Sequence, residues 1–362
     1  MSDNRIVSVD ALRGFAVLSI MGLDFVFRTL PKVWDNVVTR ELALQMEHST
    51  WEGFTLFDLI FPLFLFVVGL VIPLALQRRI ERGDTQQAIY IHIIKRTGGL
   101  FLVGWIIYGL LRFDWPEMRW SSVLGRIGIC YFFASILVLH TNWRTQAMIT
   151  AAILLLYWLA MILIPVPGYG AGVLTPEGAL STYLDQNLIP GKLGLGIYDR
   201  QGVMSTFTSL ATTLLGVLTG YWLKSSRSDK HKVLGLLAAG IISLLAGWLW
   251  GRFFLISRNI WTSSFVLYAN GWSLLLMALF YWLIDVRGFK RWSFFLVVIG
   301  LNALTIWFGQ RFIPFPEISD YFLSGAARFT GKYEPLLLVC GSLTIKWLFL
   351  WFLYRHRIFF KF

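Results

Sequence analysis

Apolar runs long enough to cross a bilayer recur along nearly the whole of this 362-residue chain. A hydrocarbon core about 30 Å thick takes about 20 helical residues, and backbone inside it must satisfy its own hydrogen bonds, so a chain of this kind is confined to helices. Only 14% of the residues are charged and 57% are hydrophobic, against about 25% charged in a soluble domain, so no segment is left over for one. The chain therefore reads as all-α, a polytopic integral membrane protein forming a single transmembrane domain over 1–362. About ten helices are expected, near 11–30, 54–76, 97–112, 122–140, 146–166, 203–223, 233–251, 263–285, 292–312 and 336–354. The third is short, which argues for an earlier start. Arg5 and Arg13 flank a first run without a small-residue cleavage site, so it reads as a retained helix and not a removable signal. Cys130 and Cys340 lie inside apolar runs, as small buried hydrophobes rather than a disulfide or metal framework.

Lys and Arg gather in alternate connections, including Arg78, Arg79, Arg82, Lys95 and Arg96 between helices two and three, Lys224, Arg227, Lys230 and Lys232 between six and seven, and Arg287, Lys290 and Arg291 between eight and nine. The positive-inside rule places these connections and both termini in the cytoplasm, and the longer loops 31–53, 167–202 and 313–335 outside. The net charge of +12 then follows from topology and calls for no nucleic-acid partner. Residues 77–96 mix basic and apolar side chains; they read either as a helix lying on the membrane surface or as a solvated linker. No internal repeat is evident, which disfavours the inverted-repeat plan of many transporters. With no luminal domain or organelle signal, the expected location is a bacterial inner (plasma) membrane; the oligomeric state, homodimer included, is left open.

Ionisable groups inside a span are costly and call for a partner, a wet cavity or a function. Four qualify: Asp24 in helix one, Asp58 in helix two, Arg126 in helix four and Lys346 in helix ten. On the topology above, Asp24 lies about 9 Å, and Asp58 and Arg126 roughly 6 Å, below the outer ends of their helices. Three charges from three helices are thus expected at one level, with Lys346 nearer mid-membrane. The entry to helix two, His48-Ser49-Thr50-Trp51-Glu52-Gly53-Phe54-Thr55-Leu56-Phe57-Asp58, is unusually polar. In one straight helix His48 and Asp58 would stand about 15 Å apart along the axis, so a break is needed if they are to meet, and Gly53 can supply it. Asp58 or Glu52 would then hold one ring nitrogen of His48, leaving an oriented base or nucleophile. The bland reading is an interfacial histidine of the aromatic belt.

His92, His140, His231 and His356 read as interfacial, no histidine pair has metal-ligand spacing, and no metal is expected. Tyr198-Asp199-Arg200-Gln201-Gly202 opens helix six and Asn259-Ile260-Trp261-Thr262-Ser263-Ser264 opens helix eight. Both read either as site residues or as caps and belt residues, with Thr262 or Ser263 as N-cap. Phosphate-binding glycine loops and nucleophile elbows are absent from the sequence.

Taken together these segments resemble the transmembrane acyltransferases related to heparan-alpha-glucosaminide N-acetyltransferase and their bacterial NagX-type homologues. The resemblance runs along nearly the whole chain. It rests on Ser8-Val9-Asp10-Ala11-Leu12-Arg13-Gly14-Phe15, on His48 to Gly53 with Asp58-Leu59-Ile60-Phe61-Pro62, and on Val123-Leu124-Gly125-Arg126-Ile127. Tyr198 to Gly202, Asn259 to Phe265 and Gly300-Leu301-Asn302-Ala303 complete it. It implies acetyl transfer from acetyl-CoA to the amino group of a terminal glucosamine across the membrane, with the family's active histidine at His48 and its following acid at Asp58. One position departs: many members carry Asn where this chain has Asp24.

The chemistry this implies is undemanding on the donor side, since a thioester is already activated; the acceptor must be deprotonated and oriented and the oxyanion stabilised. His48 is the expected general base or acyl acceptor, with Asp58 fixing its tautomer. Asp24, Glu52, Arg126, Tyr198, Asp199, Trp261, Ser264 and Asn302 are expected on the substrate side. Arg78, Arg79, Lys95 and Arg96 are expected to meet the phosphates of acetyl-CoA. A transporter of amino sugars or sugar derivatives, using the same buried polar cluster as its substrate site, is the second reading.

Overall fold

The computed structural model describes residues 6–359; Arg5, one flank of the first run, lies outside the described residues. Among these residues the only β-pairing is two isolated bridges, Arg119 with Gly191 and Val166 with Gly170, and the rest of the regular structure is helical. The helices are α1 (Val7–Leu18), α2 (Asp24–Val33), α3 (Val37–Gln45), α4 (Leu56–Glu81), α5 (Gln86–Ile107), α6 (Val123–His140), α7 (Trp143–Leu163) and α8 (Leu180–Leu188). They continue as α9 (Val203–Lys224), α10 (Asp229–Trp250), α11 (Ser263–Phe280), α12 (Phe294–Leu301), α13 (Ala303–Gly309), α14 (Phe315–Ala327) and α15 (Glu334–Arg355).

Seven helical segments among the described residues are long and apolar enough to cross a membrane. Each of the ten expected helices has a helical counterpart, and those that fall short do so for visible reasons. The first is interrupted by a π-turn at Ser19–Leu23, where Gly22 has a φ of 146°. The ninth breaks at Asn302, between α12 and α13. α5 starts earlier than the apolar run, as its shortness required, and its first half carries Gln86, Lys95 and Arg96.

The surface helix or linker expected over 77–96 is corrected. α4 runs on to Glu81 and α5 begins at Gln86, so only a tight turn separates them. Gly83 at φ 82° makes that turn, and Thr85 caps α5 by accepting from the Ala88 N–H at 3.2 Å. Basic residues at the ends of two long apolar helices replace an independent amphipathic element. The long loops 31–53, 167–202 and 313–335 also hold more structure than their polarity suggested: α3, α8 and α14 fall inside them.

The chain divides into two compact units. The first comprises, of the described residues, 6–49, 54–64 and 276–359; the second comprises 50–53 and 65–275. In the first, α1 lies against α12 so closely that a Cβ on Gly14 would strike the Leu296 carbonyl, and one on Gly300 the Asp10 carbonyl. Small residues permit this approach, as they do in membrane helix pairs, where van der Waals packing drives association. Val17, Met21, Val298, Ile299, Ile306, Phe315 and Leu350 fill the core beside that seam. In the second unit, Gly69, Gly216 and Gly220 play the same part where α4 meets α9, and Ile72, Leu76, Ile93, Tyr131, Leu214 and Val217 pack around it. α10 leaves Leu234, Ile241, Ile242, Leu245 and Leu249 exposed, the surface expected of a helix whose solvent is lipid.

Candidate functional site

Gly53 has a φ of 114°, and in the first unit two residues that a straight helix would keep apart meet. His48 Nδ1 lies 2.9 Å from Asp58 Oδ1. Asp58 is fully buried; its Oδ2 accepts from the backbone N–H of Ser49 at 3.2 Å and of Thr55 at 3.3 Å. A carboxylate anchored by backbone donors acts as an acceptor, so Nδ1 carries the proton and Nε2 is the basic nitrogen. The ring stacks on Phe57, centroids 4.6 Å apart, and 26% of its side chain is exposed. Of the two acids able to orient it, Asp58 does so; Glu52 is an exposed residue of the second unit.

Asp24 is buried, and its Oδ1 accepts no hydrogen bond. Its Oδ2 lies 3.8 Å from Arg28 Nη2. Arg28 also donates through Nε to the Met46 carbonyl at 2.9 Å and sits 5.4 Å from the Phe57 ring, so it links Asp24 to the segment that carries His48. Reading charge by charge along the sequence missed Arg28, because it lies beyond the apolar run and resembles an ordinary end-of-helix base. Asn302 is buried at the α12–α13 break, where its amide donates to the Ile358 carbonyl at 3.2 Å and its oxygen accepts from Thr305. The C-terminal turn of the chain thus takes up that amide.

The second unit builds a different polar cluster around the turn that precedes α9. Asp199 is buried and receives a two-pronged bond from Arg119, Nε at 2.8 Å and Nη2 at 2.6 Å. The N–H groups of Gly194 and Gln201 donate to the same carboxylate. Burial pushes its carboxyl up, but the Arg119 fork and these donors hold it below the usual range. Tyr198 packs edge-on against Trp51, whose indole donates to the Leu174 carbonyl at 2.7 Å. Arg126 is buried with its Nη2 on the Arg200 carbonyl and on Ser205 Oγ, while Nε and Nη1 have no hydrogen-bond partner. Its guanidinium lies 5.1 Å from the Trp261 ring. Of the three charges expected at one depth, Asp24 and Asp58 thus belong to the first unit and Arg126 to the second.

Trp261 is buried at a φ of 54° and donates to Thr212 Oγ1 at 3.2 Å. Thr262, one of the two expected N-caps of α11, is the one that accepts from the Phe265 N–H, at 3.3 Å. Ser264 Oγ donates to the Leu255 carbonyl at 2.8 Å. Of the basic residues, Arg79 pairs with Asp84 at 2.8 Å, Arg96 lies 4.4 Å from the Tyr131 ring, and Arg78 and Lys95 are exposed. His231 accompanies Ser228, His140 accompanies Tyr90 and His356 lies over Phe352.

Arg119 and Asp185 are organising residues that sequence reading missed, because both sit in segments read as plain loop. Asp185 accepts from the N–H of Val203 at 2.9 Å and of Asp199 at 3.3 Å, and so clamps the turn. Burial pushes its carboxyl up to about 6. Its folded value lies above the unfolded one, so the folded state holds the proton more tightly and stability falls as pH rises from about 4 to about 6, by on the order of 1–3 kcal/mol. Asp185→Asn is expected to remove this pH-dependent loss. Thermal unfolding in detergent across that window checks it; parallel wild-type and variant curves would count against the assignment.

The chain is homologous to heparan-alpha-glucosaminide N-acetyltransferase. It is 27% identical to the Mus musculus protein over 87% of this chain, and 24% identical to the Homo sapiens protein over 99% of it. It spans 55% and 60% of those proteins' own lengths. Residues 5–164 match a family model described as a domain of unknown function, DUF5009.

Proposed function

We propose that this homologue of the heparan-alpha-glucosaminide N-acetyltransferases is a membrane acetyltransferase that moves an acetyl group from cytoplasmic acetyl-CoA to an amino or hydroxyl group of a sugar at the outer face. The observation that carries the reading is the His48–Asp58 pair, 2.9 Å apart, with the carboxylate locked by two backbone donors. In this reading His48 Nε2 removes the acceptor proton as the acceptor attacks the thioester carbonyl, and Asp58 stabilises the resulting imidazolium. The C–S bond breaks, and the thiolate of coenzyme A takes a proton. Formation of an acetyl-imidazole on His48 before transfer is the alternative order of events.

Arg78, Arg79, Lys95 and Arg96 supply the cations for the donor's phosphates, with Arg78 and Lys95 exposed to receive them. Asp24, Glu52, Arg126, Tyr198, Asp199, Trp261, Ser264 and Asn302 are assigned to acceptor recognition or to shaping the site. Among them Asp24 has an open acceptor oxygen, and Arg126 has open donors.

The test is direct. Purified protein in detergent, given labelled acetyl-CoA and a panel of sugars, is expected to release labelled acetyl-sugar and coenzyme A in equal amounts. Protein that binds no acyl-CoA and instead carries sugar into liposomes would overturn the enzyme reading in favour of a transporter.

A further inference from the structure

His48 stands on a short segment, 46–49, between the end of α3 at Gln45 and the start of α4 at Leu56. A stretch with no helical ladder of its own is held by what its backbone groups bond to. The start of α4 holds one side. Thr55 Oγ1 donates to the Glu47 carbonyl at 2.6 Å, and the Ser49 N–H donates to Asp58 Oδ2 at 3.2 Å. Just before the segment, Gln45 Oε1 accepts the Leu56 N–H at 3.2 Å.

The other side is held from α2. Met46 follows the last residue of α3, where the carbonyls of a helix end lack intrahelical donors. Arg28 supplies two donors to the Met46 carbonyl oxygen, Nε at 2.9 Å and Nη2 beside it. A planar fork closed on one oxygen fixes the direction of that carbonyl, which a single point donor does not. The same guanidinium lies 5.4 Å from the centre of the Phe57 ring, against which the His48 imidazole packs at 4.6 Å. Arg28 therefore reaches His48 by two routes: the chain two residues before it, and the ring it rests on.

The base from which Arg28 reaches is fixed in turn. α2 follows the π-turn at Ser19–Leu23, whose Met21 carbonyl accepts from Lys346 Nζ at 2.6 Å and whose Ile20 carbonyl accepts from the Gln310 amide at 3.4 Å. Asp24, one turn before Arg28 on α2, brings Oδ2 to 3.8 Å from Nη2. All of these residues lie in the first unit.

We propose that Arg28 is a positioning residue for acetyl transfer: through the Met46 carbonyl and the Phe57 ring it holds the His48 imidazole on Asp58. The inference rests on the acetyl-transfer reading with His48 at its centre. A reacting group displaced by about 1 Å loses on the order of 10²-fold in rate. A residue that acts by placing His48 should therefore govern the transfer step and leave donor binding alone.

The experiment is a double-mutant cycle on purified protein in detergent, with labelled acetyl-CoA and the best acceptor from the sugar panel. Single-turnover transfer is expressed per acetyl-CoA-binding site, so that unfolded protein does not count. Arg28→Met, which removes the fork and the charge, is expected to lower that rate by about 10–10²-fold with acetyl-CoA affinity within about twofold of wild type. In the His48→Ala background the same substitution should change the residual rate by less than about twofold, because the group it would misplace is gone. If Arg28→Met does not fold, Arg28→Lys, which keeps the charge and one donor, goes through the same cycle with a loss of about three- to tenfold expected. A wild-type rate per site in the folded variant, a matching loss of acetyl-CoA affinity, or an equal loss in the His48→Ala background overturns this inference alone. Absence of transfer to any sugar, or a wild-type rate in His48→Ala, overturns the reading beneath it, and this inference with it.

Discussion

Replacing His48 with alanine is expected to lower acetyl transfer by about 10²–10⁴-fold, the usual worth of a positioned general base, while acetyl-CoA binding is retained. Asp58→Asn should do nearly as much damage, for a reason specific to this geometry. The Asp58 carboxylate accepts from Ser49 and Thr55 through one oxygen and faces His48 Nδ1 with the other. An amide that keeps its oxygen on the two backbone donors must turn its NH₂ toward the imidazole. Nδ1 then becomes an acceptor, the proton moves to Nε2, and the nitrogen aimed at the acceptor is no longer basic. The measurement is single-turnover transfer alongside equilibrium binding of labelled acetyl-CoA. Wild-type turnover in Asp58→Asn would remove the tautomer argument, and wild-type turnover in His48→Ala would remove His48 from the chemistry.

That pair was legible in the sequence because the constraint was geometrical. A separation of ten positions places His48 and Asp58 too far apart on one straight helix, and a glycine lies where a break would have to be. The long apolar helices were legible because lipid demands a continuous apolar run, so α6, α7, α9 and α11 lie within a few residues of their expected positions. In the long polar loops that demand lapses. α3, α8 and α14 are short, and their stability comes from what they pack against, which no local pattern records. Arg28, Arg119 and Asp185 were hidden for the same reason. Each is an unremarkable polar residue in its own segment, and its importance comes from a partner 18 or more positions away: Met46 for Arg28, Asp199 for Arg119 and Val203 for Asp185. The π-turn of the first helix is a further case, since Gly22 gave no sign that the Ile20 and Met21 carbonyls would be presented to Gln310 and Lys346.

The second large effect is expected at the α1–α12 seam. Gly14→Leu should prevent the first unit from assembling, because even the Cβ would overlap the Leu296 carbonyl and lies close to the Gly300 backbone. Backbone atoms cannot swing aside as a side-chain end can, so the helices must separate. Separation loses the dispersion contacts that, in the absence of a hydrophobic drive between helices in lipid, hold them together. A cost above about 4 kcal/mol is expected, enough to unfold a marginally stable protein. The consequence reaches past packing: α1 leads through the π-turn into Asp24, and α12 leads through the Asn302 break to Gln310, which holds the Ile20 carbonyl. Gly98→Ala and Gly325→Ala are the controls, since a Cβ at either position meets nothing within 4 Å. Fluorescence-detected gel filtration of the three variants decides the matter. A monodisperse Gly14→Leu peak with wild-type thermal stability would show that the two helices do not depend on this close approach.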